Sequence, residues 1–160
     1  MEARAKLFGH PIHQMLIVFP LGLLAMALFF DLGALFLNRH QGLFSASYYM
    51  IAAGVVTGLL AAVFGLIDFL KVPSGTRAKR IGTVHGVGNV VVVVLFAASW
   101  FLRREHPADA PTLAIALAAL GAGLATITGW LGGELVDRLG VGIDDGAHLD
   151  APSSLSGPAR

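Results

Sequence analysis

The chain has 160 residues, 56% of them hydrophobic and 13% charged, with a formal net charge of +1 and no cysteine. A soluble domain of this size carries roughly a quarter of its residues as charges, so much of this surface must face something other than water, and a mean hydropathy of +0.75 agrees. The near-neutral balance gives no footing for nucleic acid as a partner, and the missing cysteines remove thiolate chemistry, iron–sulfur clusters and disulfides, leaving histidines and carboxylates for metal or proton work.

Arg4 and Lys6 precede an apolar run, as they would in a signal peptide. The run Met15–Leu37 is longer than a signal h-region and no small-x-small site follows it, so it reads as an uncleaved first span. A bilayer core of about 30 Å needs roughly 20 apolar residues as helix. Four segments meet that length: about 15–37, 47–70, 82–102 and 112–136. Val90–Val94 has strand propensity, but a lone strand leaves its backbone unpaired in lipid, so the context predicts a helix. Short connections at 38–46, 71–81 and 103–111 predict antiparallel neighbours, hence an all-α, four-transmembrane-helix, up-down-up-down bundle over 15–138. Residues 1–14 form a cytoplasmic N-terminal segment in this reading. Residues 139–160 form a polar tail, with 147–160 expected to be disordered.

Loop cations set the orientation. One side holds Arg4, Lys6, Lys71, Arg77, Lys79, Arg80 and Arg138, the other Arg39, Arg103 and Arg104. Both termini are therefore expected on the cytoplasmic side, with Tyr48, Tyr49 and Trp100 at the outer interface and Trp130 at the inner one. Gly54, Gly58 and Gly65 on the second span and Gly121, Gly129 and Gly132 on the fourth allow close helix packing. The primary expectation is packing within one bundle; a homo-oligomer through these glycine-rich faces is the minority alternative. Pro20 is expected to kink the first span.

Ionisable residues within spans are costly and mark functional positions. His10 and His13 precede span one, Asp68 ends span two, His85 opens span three with Asn89 one turn deeper, and Glu134 ends span four. On the predicted topology all of these share the cytoplasmic face. Each half has a histidine opening its odd helix and an acid closing its even one. That pattern, with Gly65 matched to Gly129, hints at two pseudo-repeated helical hairpins. Asp31, near the outer end of span one, reads as a solvated outer-face residue, and His40, His106 and His148 as solvated. Thr57, Thr126 and Thr128 are expected to bond their own helix carbonyls.

Three chemistries remain open for the cluster. His13 and His85, with His10 and Asn89 adjacent, suit haem b held in a bundle. His13, His85, Asp68 and Glu134 suit a divalent metal. The same titratable groups suit proton or small-solute passage. Against all three stands a structural or partner-binding subunit whose polar cluster only caps the bundle. Phosphate-binding glycine loops, nucleophile elbows and zinc-protease helices are absent, so nothing marks the chain as an enzyme.

The motifs His10-Pro11-Ile12-His13 with Phe19-Pro20-Leu21-Gly22, Gly65-Leu66-Ile67-Asp68-Phe69 through Gly82 to His85, and Gly129-Trp130-Leu131-Gly132-Gly133-Glu134 ending in Gly140-Val141-Gly142-Ile143 carry a resemblance. Together they resemble the predicted bacterial membrane proteins of domain of unknown function 2231, over nearly the whole chain except the tail. The resemblance implies a four-span inner-membrane protein of unestablished activity. Some relatives carry a Rieske-type iron–sulfur domain, which implies a redox setting and a membrane redox partner. Gln14 stands where relatives often have proline, and Val18 where they often have another histidine.

Overall fold

The computed structural model describes residues 1–156; the last part of the expected disordered tail, 157–160, lies outside the described residues. The order is β1 (Lys6–Leu7), β2 (His10–Pro11), α1 (Ile12–Leu16), α2 (Val18–Phe36), α3 (Gln41–Lys71), α4 (Arg77–Leu102), α5 (Thr112–Gly133) and a π-helical turn, Glu134–Arg138. Four helical stretches are long and apolar enough to cross a membrane: Ile12–Phe36, Gln41–Lys71, Arg77–Leu102 and Thr112–Arg138. Large apolar side chains such as Phe29, Val56, Leu66, Val87, Val94 and Ile127 lie exposed along them. Only a lipid surround makes that arrangement favourable, and the helices satisfy their backbone internally as lipid requires. The chain is a helical membrane protein.

Local chemistry fixes the breaks. Pro20 has no N–H for the Leu16 carbonyl, and the first span is interrupted at Ile17, where a kink from Pro20 is expected. Thr76 starts α4 by accepting the Lys79 N–H on its hydroxyl at 3.1 Å, a conventional N-cap. Phe8 and Gly9, both at positive φ, turn the short β1–β2 hairpin, as a two-residue hairpin loop demands. Sequence periodicity does not reveal strands of two residues.

α2 packs on α3 and α4 on α5, and contacts of α3 with α4 and α2 with α5 close the bundle. The central core is Leu24, Ala27, Ile51, Val92, Phe96 and Ala118. A smaller cluster of Ala34, Phe44, Ala110 and Ile115 lies toward the α2–α3 and α4–α5 loops.

The two hairpins repeat one design. A Cβ on Gly54 would lie 2.5 Å from Leu24, and one on Gly121 2.9 Å from Phe96. A Cβ on Gly65 would meet the His13 ring at 2.9 Å, and one on Gly132 the His85 ring at 3.1 Å. The odd-helix partners are spaced alike (13 to 85, 24 to 96), and so are the even-helix glycines (54 to 121, 65 to 132). Close approach at these glycines replaces the hydrophobic drive that lipid removes. The structure corrects the sequence register here: Gly132, not Gly129, matches Gly65. A Cβ on Gly129 would meet nothing within 4 Å, so that glycine takes no part in packing.

The same repeat relates Asp31 to Arg103, and these two form an ion pair across the hairpins. Arg103 Nη1 and Nη2 donate to the two carboxylate oxygens of Asp31, each at 2.8 Å, and both residues are 0% exposed. This overturns the expectation of a solvated Asp31. It also removes Arg103 from the loop charges. An arginine at the end of α4 and an acid more than a turn inside α2 are brought level because the helices run in the same direction. Lipid offers neither of them water, so each takes the other as its partner.

Candidate functional site

The face that carries the N-terminus gathers His13, His85, Asn89, Asp68 and Glu134, each half-buried. His13 reaches α3, where its Nδ1 lies 2.8 Å from the Ala61 carbonyl oxygen. His85 reaches α5, where its Nδ1 lies 2.8 Å from the Thr128 carbonyl oxygen. A carbonyl only accepts, so in both rings Nδ1 carries the hydrogen, and the neutral imidazole keeps its lone pair on Nε2.

The two carbonyls are reachable for one reason. Within an α-helix the carbonyl of Ala61 bonds the N–H of Gly65, and that of Thr128 bonds the N–H of Gly132. A side chain at either glycine would cover its carbonyl. With hydrogen there, each ring lies against the helix backbone.

The halves differ in polarity around this common frame. The single Thr128 hydroxyl hydrogen is shared between Asn89 Oδ1 at 3.0 Å and its own-helix carbonyl of Ala125 at 3.2 Å. Asn89 Nδ2 donates to the His85 carbonyl at 3.0 Å and lies 3.2 Å from Nε2 and 3.4 Å from Nδ1 of the same ring. A nitrogen nearly equidistant from both ring nitrogens cannot line up with either lone pair. In the first hairpin, Ile17 and Ala61 take the equivalent places, so the His13 ring has no such amide. The sequence reading missed Thr128 because a helical threonine that bonds its own backbone needs no other partner.

The two acids are held elsewhere. Asp68 Oδ1 accepts the backbone N–H groups of Arg4 and Ala5 at 2.6 and 2.9 Å. A carboxylate near a helix C-terminus opposes the dipole, and two amide donors offset that. Glu134 pairs with Arg77 at 2.5 Å. Among the described residues no three His, Asp or Glu side chains converge as a metal-binding group. His10 is exposed and its Nε2 lies 3.2 Å from Ser154 Oγ, on the side of the C-terminal segment. Asn89 is thus brought against His85, and His13 holds the equivalent place in the other hairpin, while Asp68, Glu134 and His10 serve other contacts.

A clasp lies over this face. The Met1 ammonium donates to the Gly140 carbonyl at 2.9 Å, and Gly142 N–H donates to the Met1 carbonyl at 2.9 Å. Lys6 donates to Glu2 at 2.8 Å and to Asp144 at 3.3 Å. The Lys6 hydrogen bond holds the Glu2 carboxyl below its ordinary range, and the Gly146 N–H followed by Lys6 does the same for Asp144. Lys6 is raised in turn, chiefly by Glu2.

The model of the family described as "Predicted membrane protein (DUF2231)" matches residues 9–145. The chain belongs to the DUF2231 family. No curated protein and no solved structure matches it. The match to DUF2231 spans the histidine pair, the glycines beneath it and the Asp31–Arg103 pair alike.

Proposed function

We propose that this DUF2231 protein holds haem b between His13 and His85, in a redox role in the bacterial inner membrane. The observation that carries the reading is the shared hydrogen bonding of the two rings. Each commits Nδ1–H to a main-chain carbonyl, at 2.8 Å in both cases, and keeps Nε2 as its lone-pair nitrogen. Histidine ligands are oriented in this way by the hydrogen bond of the second ring nitrogen. Haem iron held by two imidazoles exchanges single electrons when bound. His13 and His85 would hold it through Nε2, with Asn89 beside the second ring.

The donor set favours haem over a divalent cation. A divalent metal needs a third or fourth donor, and Asp68 and Glu134 are engaged by the Arg4–Ala5 backbone and by Arg77. The apolar core of Leu24, Ile51, Val92 and Phe96 between the two polar faces supports binding over proton or solute passage. A second reading has its own support: those same carboxylate contacts, with the clasp, would close the bundle as a structural or partner-binding cap without any ligand.

We further propose that the histidine face is cytoplasmic. Its cations outnumber those of the opposite loops, and burial of Arg103 against Asp31 widens that difference. The test of the site is a visible spectrum of protein purified from haem-replete cells, with and without dithionite. A Soret band lost or shifted in His13→Ala and in His85→Ala is the expected result. A colourless wild-type protein would favour the cap.

A further inference from the structure

The face opposite the histidines leaves two hydrogen-bond donors unused. Arg103 has five N–H bonds to place. Four find acceptors: two on Asp31, at 2.8 Å each, one on Ser47 Oγ at 3.1 Å and one on Ser99 Oγ at 2.9 Å. The fifth, on Nε, is buried and meets no acceptor. Close to one turn earlier on α4, the indole Nε1–H of Trp100 is buried and also meets none. Among the described residues, these two are the buried side-chain nitrogen or oxygen atoms in that condition. Residues three apart on a helix are surface neighbours.

Both groups only donate, so neither can satisfy the other. Buried donors without acceptors are rare in folded proteins and are usually met by a bound water or ion. They are costliest in a membrane, where bulk water does not replace the missing partner. The surroundings define what would fit. Asp31 already neutralises Arg103, so an anion would gain little and a neutral oxygen is the suitable acceptor. Tyr48 stacks on the Trp100 indole at 5.5 Å and 17°, and Tyr49 meets Tyr48 edge-on at 5.3 Å. Tyr49 is itself exposed, so this aromatic run reaches from the buried indole to the protein surface.

We propose that Trp100 and Arg103 form a binding site for one neutral oxygen acceptor at the end of the bundle opposite the histidine pair. The acceptor is either a carbonyl oxygen of a membrane lipid or an ordered water; the hydrogen-bonding chemistry is the same. The site does not depend on haem at the other face.

The chain has two tryptophans, so Trp130→Phe, a change at an exposed position, leaves Trp100 as the sole indole. Ultraviolet resonance Raman of that variant in native lipid reads the indole N–H directly. A hydrogen-bonded indole is expected, and a free N–H would overturn the proposal. The source follows from repeating the spectrum after exchange into a detergent without carbonyl groups: loss of the bond identifies a lipid carbonyl, persistence a water. Arg103→Lys keeps a charge opposite Asp31 while removing Nε–H. In that folded variant the band should shift, and an unmoved band would overturn a shared acceptor.

Discussion

Asp31 and Arg103 are each fully buried, so removing one strands the other as an unpaired charge in a low-dielectric interior. Asp31→Asn or Arg103→Ala should each cost about 3–5 kcal/mol. Asp31→Leu combined with Arg103→Met should cost less than either single change, because no charge is then left buried. Unfolding in detergent, followed by circular dichroism, compares the three variants. Glycines give a second contrast. Gly54→Ala places a methyl 2.5 Å from the Leu24 side chain and should cost about 1–3 kcal/mol by overpacking. Gly129→Ala meets open space and should be neutral or more stable by up to about 1 kcal/mol. Composition alone does not separate these glycines, since both lie in apolar helix and only the partner helix distinguishes them. The ion pair was equally hidden. Its members are 72 residues apart, and each taken singly looks like a helix-end charge near water.

At the scale of elements, the four helices and the break before Pro20 were legible, because span length and a missing N–H act locally. The clasp was not. Its contacts join the first six residues to 140–145, and such pairing has no periodic signature. Its charges do make a prediction. Glu2 and Asp144 have depressed pKa values, so the stabilisation they give is present above the ordinary carboxylate range of about 4. It is lost as pH falls through their lower folded values. Lys6 is raised, so its contribution holds below its ordinary value of about 10.4 and is lost only above that. The clasp should therefore stay closed across neutral pH, opening in strong acid and strong alkali. Nitroxides on Leu7→Cys and Ala147→Cys, in a chain that has no other cysteine, report it as a distance between labels that lengthens at both extremes. A distance constant from strong acid to strong alkali would show that these ion pairs do not hold the clasp.

For the whole molecule, the sequence suggested a repeat but matched its parts one turn out of register. Gly65 and Gly129 each precede an acid, which made them look equivalent. The true equivalents are defined by what they lie against, a histidine ring in each hairpin, and Gly132 holds that place. Asp68 and Glu134 were grouped with the histidines because all sit at helix ends on one face. A shared end does not make a shared site when backbone amides and Arg77 are nearer. The proposed orientation predicts that His40→Cys, in the α2–α3 loop, is labelled by an impermeant thiol reagent applied to intact spheroplasts, while Ala147→Cys is not. Reversed labelling would place the histidine face outside.

His13 and His85, presented alike by two repeated hairpins, are proposed to act as one pair of ligands. Low-temperature electron paramagnetic resonance of the oxidised protein, purified from haem-replete cells, tests this most directly. A low-spin ferric signal of bis-imidazole type, lost in His13→Ala and in His85→Ala, is the expected result. A high-spin signal, a signal that survives either substitution, or no haem iron at all would contradict it.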